Sequence, residues 1–148
     1  MNFIASSATL LRHLQSISGV LSTSNTLPIL DNFLFSIKGN ELTVSATDLE
    51  TTMITKLPVQ TEEDGVVAVP AKLVLEVLKS LPDQPCTFKV NATFNIEVAY
   101  DNGKSKMVGF SGDEFPKLPK IENKSTIKVS GDIISKAINR TLFAAGND

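Results

Sequence analysis

Three times along the chain a short strand-like apolar pattern runs directly into a helical one. Asn2-Phe3-Ile4-Ala5 leads into a helix in which Leu10, Leu11, Leu14 and Ile17 share a face, with Ser7 placed to cap its start and Gly19 to end it. Gly65-Val66-Val67-Ala68-Val69 leads into a second helix that has Pro70 in its first turn and carries the polar stripe Lys72, Glu76 and Lys79. Ser125-Thr126-Ile127-Lys128-Val129 leads into a third, with Ser130 as cap and Asp132 near the positive end of the helix dipole.

Between the helices the apolar period drops to two, the mark of half-buried strands. Phe33, Phe35 and Ile37 alternate, then Leu42, Val44 and Ala46 after the Gly39-Asn40 turn, then a less regular run over residues 51–59. After the second helix come Cys86, Phe88 and Val90, then Phe94, Ile96, Val98 and Tyr100, then a run over residues 104–110. The unit is therefore strand, helix and three strands, with helix starts at Ala8, Ala71 and Gly131, 63 and 60 residues apart. A lone copy would leave one face of its sheet in water, so the pattern predicts an α+β domain of two such repeats, its two helices packed on antiparallel sheets. That domain is expected to fill residues 1–122, in repeats of about 1–62 and 63–122. Residues 123–148 then supply only the strand and helix of a second domain, which marks the chain as the N-terminal part of a longer one.

Composition narrows the chemistry. The 148 residues are 42% hydrophobic and carry 14 Lys and Arg against 16 Asp and Glu, for a net charge of −2. That balance argues against a protein held on nucleic acid by bulk positive charge. One cysteine and one histidine leave no disulfide framework and no ligand set for a structural metal. The N-terminus lacks the pattern of a secretory signal, and no apolar stretch approaches the ~20 residues of a membrane span. A cytoplasmic location, with no metal and no cofactor, is the expectation.

The polar residues offer little for catalysis. Asp48 and Glu50 stand two apart, but such a pair in a strand or tight turn is read as a turn-former. His13 lies beside Arg12 on a polar helix side with no Ser or Cys nucleophile in view, and Cys86 falls in phase with its apolar neighbours as a small core residue. No glycine loop of a phosphate-binding type occurs. The repeated basic residues are more informative: Arg12 with His13, Lys72 with Lys79, and Lys136 with Arg140 stand on the polar sides of three equivalent helices. Solvated helix faces account for such stripes in most proteins. A shared basic surface toward a phosphate backbone is the alternative.

Four strings, Thr26-Leu27-Pro28-Ile29-Leu30, Thr47-Asp48-Leu49-Glu50, Val69-Pro70-Ala71 and Asp113-Glu114-Phe115-Pro116, occur in the order and approximate spacing of one family. Over its whole length the chain resembles the bacterial beta sliding clamps, processivity subunits of the replicative DNA polymerase. The resemblance implies a DNA-clamp fold and a head-to-tail homodimeric ring of three similar domains per subunit. Helices would line a channel around duplex DNA, and sheets would form the rim. It implies no enzymatic activity, DNA binding without sequence specificity, and recruitment of polymerase, clamp loader and repair proteins through a pocket beyond Asp148.

By the same resemblance, Arg12, Lys72, Lys79, Lys136 and Arg140 would face the channel. Lys104, Lys106 and Met107 would meet the other subunit along an edge strand, with Gly109 where a larger side chain is common and Glu97 where a basic one can stand. The loop Ser22-Thr23-Ser24-Asn25 lacks the basic residue that the family often has there. The rival reading is a repeat-built protein-binding module without a DNA function.

Overall fold

The computed structural model describes residues 1–21, 27–117 and 127–146. The chain divides into two units, Met1–Leu118 and Pro119–Asp148. Among its described residues the first contains ten strands: β1 (Asn2–Ser6), β2 (Asn32–Lys38), β3 (Glu41–Thr47), β4 (Thr52–Pro58), β5 (Gln60–Glu63), β6 (Gly65–Pro70), β7 (Pro85–Val90), β8 (Asn95–Tyr100), β9 (Gly103–Val108) and β10 (Phe110–Ser111). Helix α1 (Ser7–Ile17) follows β1, and helix α2 (Ala71–Lys79) follows β6. In the second unit the described residues hold helix α3 (Gly131–Thr141) and a short 3₁₀ turn.

The ten strands form two antiparallel five-stranded sheets, in the orders β5-β1-β7-β8-β9 and β10-β6-β2-β3-β4. Each repeat thus puts its opening strand into the sheet built by the other repeat. Exchanging β1 to β5 with β6 to β10 converts one order into the other, so the topology has an internal twofold. Register follows the same rule. Phe3 of β1 stands opposite Phe88 of β7, and Val67 of β6 opposite Phe35 of β2.

Alternation puts the apolar residues of both sheets on facing inner surfaces. One core joins Phe3, Phe88, Ile96 and Val98 of the first sheet to Phe33, Phe35, Leu42 and Val44 of the second, with Leu10, Leu14, Val74 and Leu78 of the helices. Phe3 is the hinge of this packing. Its ring stacks on Phe88 with centroids 4.7 Å apart, and meets Phe35 of the opposite sheet at 6.3 Å and 54°. The helices touch each other; α1 lies against β3 and β4, and α2 against β2 and β6.

The last strand of each repeat crosses between sheets, at Val59 and at Gly109. Both crossing residues donate their N–H to a carbonyl of the hairpin just before them, Val59 to Asn40 and Gly109 to Phe94, each at 2.9 Å. Gly109 is required at its crossing: a Cβ there would sit 2.5 Å from the Ala68 carbonyl oxygen and 2.9 Å from Ile96 Cδ1.

Several expectations change in detail. The run over residues 104–110 is two strands in two sheets, because the backbone turns at Gly109. The cap of α1 is Ser6, whose Oγ accepts from Thr9 N at 3.2 Å, while Ser7 is buried and serves another contact. Its hydroxyl donates to the Pro82 carbonyl and accepts from Gln84 N, tying α1 to the loop after α2. Pro70 is the N-cap of α2 rather than part of its first turn. Ser130 caps α3 through its backbone only, and residues 127–129 form no strand. Residues 125–126, the boundary at 122, and the loop of residues 22–25 lie outside the described residues.

Phe3 bridges the exchanged strand to both sheets, so Phe3→Ala should lower unfolding free energy by about 3–5 kcal/mol. Urea denaturation of the purified chain reads this directly, and a loss below about 1 kcal/mol would remove Phe3 from that role.

Candidate functional site

The core-facing stripes of α1 and α2 leave their other sides in solvent, and this fixes where the basic residues go. Arg12 is exposed on α1, its Nη2 3.4 Å from Thr9 Oγ1. Lys72 and Lys79 are exposed on α2, with Leu73 and Glu76 on the same open side. Among the described residues no ion pair engages Arg12, Lys72 or Lys79. The first unit therefore presents three unneutralised cations on two adjoining helices, moderated by one carboxylate. Lys79 stands in the last turn of α2, where the helix dipole also favours a cation.

In the second unit Lys136 and Arg140 are exposed on α3, as are Ile133, Ile134 and Ile138. Arg140 likewise falls in a last turn. His13 does not join the basic set. Its Nδ1 lies 2.6 Å from Thr55 Oγ1, which pins α1 to β4.

The recognisable strings prove to be turn and junction formers. Asn32, 2% exposed, donates from Nδ2 to the carbonyls of Pro28 and Ile29, each at 3.0 Å, and so closes the 3₁₀ turn Pro28–Asp31. Sequence reasoning passed over Asn32; the one available signal was an amide directly after an apolar turn. In the next string Asp48 Oδ1 accepts from the N–H groups of Glu50 and Thr51, at 3.0 and 2.6 Å. Thr47 Oγ1 donates to the Thr51 carbonyl and accepts from Leu49 N. This network holds exposed Leu49 at φ +81°, a region an apolar L-residue rarely adopts. Asp48 is thus committed to the backbone. Phe115 of the last string is buried beside Leu34 and Gly112, on the side of β2 away from the core.

A second feature is the edge strand β9, which has a neighbour on one side only. Lys104 and Lys106 project into solvent on the outer side of the sheet. Their Nζ atoms lie 3.3 and 3.7 Å from the same oxygen of Glu97 on β8. Met107, expected as an apolar contact for another subunit, points the other way: it is 6% exposed and belongs to the core, opposite Ile96. The apolar side chains exposed here are Val108, at 61%, and Phe110 just beyond.

Cys86 is buried, and desolvation, with a smaller contribution from the Asp101 carboxylate, pushes its thiol pKa up. It is poorly placed for nucleophilic chemistry. Among the described residues no group of three or more His, Cys, Asp or Glu could hold a metal, and no helix is long and apolar enough to cross a membrane.

Residues 1–119 match the family described as DNA polymerase III beta subunit, N-terminal domain. The beta sliding clamp of Vibrio cholerae is 27% identical over 148 residues, covering 99% of this chain and 40% of the relative. That of Synechococcus elongatus is 31% identical over 125 residues, covering 82% of this chain and 33% of the relative. The crystal structure of the DNA polymerase sliding clamp from Caulobacter crescentus superimposes with a TM-score of 0.90 at 26% identity, over 100% of this chain and 40% of the other. The chain spans two fifths or less of the length of each.

If Asp48 serves the turn, Asp48→Ala should cost about 1–2 kcal/mol of stability, for two lost backbone hydrogen bonds, while Glu50→Ala should be near neutral. Thermal melts of the two variants separate a structural Asp48 from a carboxylate pair.

Proposed function

Because the chain belongs to the DNA polymerase III beta subunit family, whose N-terminal domain covers residues 1–119, we propose that it works as part of a ring-shaped sliding clamp. The ring encircles duplex DNA and tethers the replicative polymerase. The observation that carries this reading is the pair of adjoining helices with Arg12, Lys72 and Lys79 exposed and unneutralised, on a unit of negative overall charge. In a chain of its relatives' length, α1, α2 and α3 line the channel, and Lys136 and Arg140 extend the basic surface.

The mechanism is topological and non-catalytic. A closed ring leaves a long duplex only by opening or by running off an end, so the channel needs no tight or sequence-specific contact. Exposed cations at Debye-length range from the phosphates centre the duplex, and their screened interactions permit sliding. The protein acts in the cytoplasm as a homodimer without a cofactor. Residues 1–122 form the first domain, and residues 123–148 begin the second. Lys104 and Lys106, with Val108 in the place expected for Met107, meet the other subunit along β9. Polymerase, clamp loader and repair proteins dock in a pocket beyond Asp148.

The test uses the full-length protein loaded onto nicked circular DNA by its loader. Retention on the circle followed by loss once the circle is linearised is the expected result. Equal retention on both forms would mean ordinary DNA binding, and no retention with a competent loader would favour a protein-binding module. Reversing charge at Arg12, Lys72 and Lys79 together should lower the amount of ring loaded onto the circle and weaken the salt dependence of loading, while rings once closed stay on the circle.

A further inference from the structure

The outer face of the β9 sheet carries an uneven charge pattern. Lys89, Glu97 and Lys106 form one row across β7, β8 and β9, each opposite the next in register. Lys104 reaches the same Glu97 from two residues away on β9. One carboxylate therefore stands among three lysines, and a single Glu97 oxygen is within 4 Å of two of them. All of this lies beside an unpaired strand edge. A groove of about 540 Å³ opens between Lys89, Glu97, Lys106 and Val108.

An edge of this kind offers free backbone donors and acceptors to another strand, and its charge selects which strand can approach. Three lysines against one glutamate leave a net positive row, which suits a strand bearing carboxylates. Glu97 acts on this in two ways. It neutralises part of the attraction, and it holds both lysine side chains back over β8 instead of letting them extend across the edge.

We propose that Glu97 is a charge latch on β9: it occupies Lys104 and Lys106 within the chain and thereby weakens pairing of this edge with an acidic strand from a second copy of the full-length protein. The proposal rests on the reading of β9 as a subunit edge. Both lysines are more than half exposed, so each pair is worth little by itself in water, and the latch sets a modest, salt-dependent bias.

The experiment is dimer dissociation of the full-length protein, followed by exchange of fluorescently labelled subunits at about 50 mM and about 500 mM NaCl, across the Debye-length change that separates screened from unscreened pairs. Glu97→Gln keeps the size and polarity of the side chain and removes the charge. It should slow dissociation about two- to fivefold at low salt, the scale of exposed ion pairs, and leave it unchanged at high salt. Glu97→Asp, with the charge retained on a shorter arm, should fall between, and a thermal melt confirms that both variants fold. Unchanged or faster dissociation in Glu97→Gln, with Lys106→Glu still accelerating it, would overturn the latch and leave the edge assignment standing. No effect of Lys106→Glu or of Lys104→Glu would overturn the edge assignment itself, and the latch with it.

Discussion

Strand β1 lies between β5 and β7, in the sheet that the second repeat builds, and β6 lies between β10 and β2 in the sheet of the first. The rest of the first unit depends on this exchange. Without it each sheet lacks an interior strand, and the link that β1 and β6 make between the facing apolar surfaces is lost. With it, the strand that feeds each helix is anchored in the other repeat's sheet. Helices α1 and α2 consequently start from equivalent places and pack on each other. Phe3 shows the coupling at the level of one side chain, since it stacks on Phe88 within its sheet and meets Phe35 across the core. Ser7 shows it in the polar contacts, joining the first turn of α1 to the loop that leaves α2.

The same arrangement decides what faces solvent. Two helices committed to one core by their apolar sides present their polar sides outward, and the cations there gather on adjoining elements. The crossings at Val59 and Gly109 carry the last strand of each repeat into the opposite sheet. Each sheet ends in one long open edge, β4 in one and β9 in the other, equivalent under the internal twofold, with the shorter strands β10 and β5 at the opposite ends. A ring built by edge-to-edge addition needs such a pair of open edges. The four family strings serve this architecture by shaping turns, a strand-helix junction and the anchoring of Phe115, and the side-chain oxygens of Thr47 and Asp48 are spent on backbone groups.

Much of this was legible in the residues. Alternation in Phe33-Phe35-Ile37 and in Ile96-Val98 named the core faces, the helical stripe of Leu10-Leu14-Ile17 named the buried side of α1, and the polar stripe Lys72-Glu76-Lys79 named the open side of α2. Alternation tells which face a side chain takes and leaves the partner strand unspecified, so the exchange of β1 and β6 was not readable. Ser6 and Ser7 are equivalent by propensity, and only the loop at Pro82 and Gln84 distinguishes the cap from the bridge. Met107 was assigned to an interface by resemblance, although its register opposite Ile96 puts it in the core. The basic residues of the helices were visible as a pattern. The clasp of Glu97 on two lysines was not, because it requires the β8–β9 register.

The central claim is that the exposed basic sides of the paired helices face DNA inside a ring closed through β9. An electron cryomicroscopy structure of the full-length protein on a short duplex tests it most directly. The account predicts a closed ring with Arg12, Lys72 and Lys79 directed at the phosphates across the channel, and β9 paired with a strand of the other subunit. A ring with these side chains on its outer rim, or a duplex bound on the sheet surface outside any ring, would contradict it.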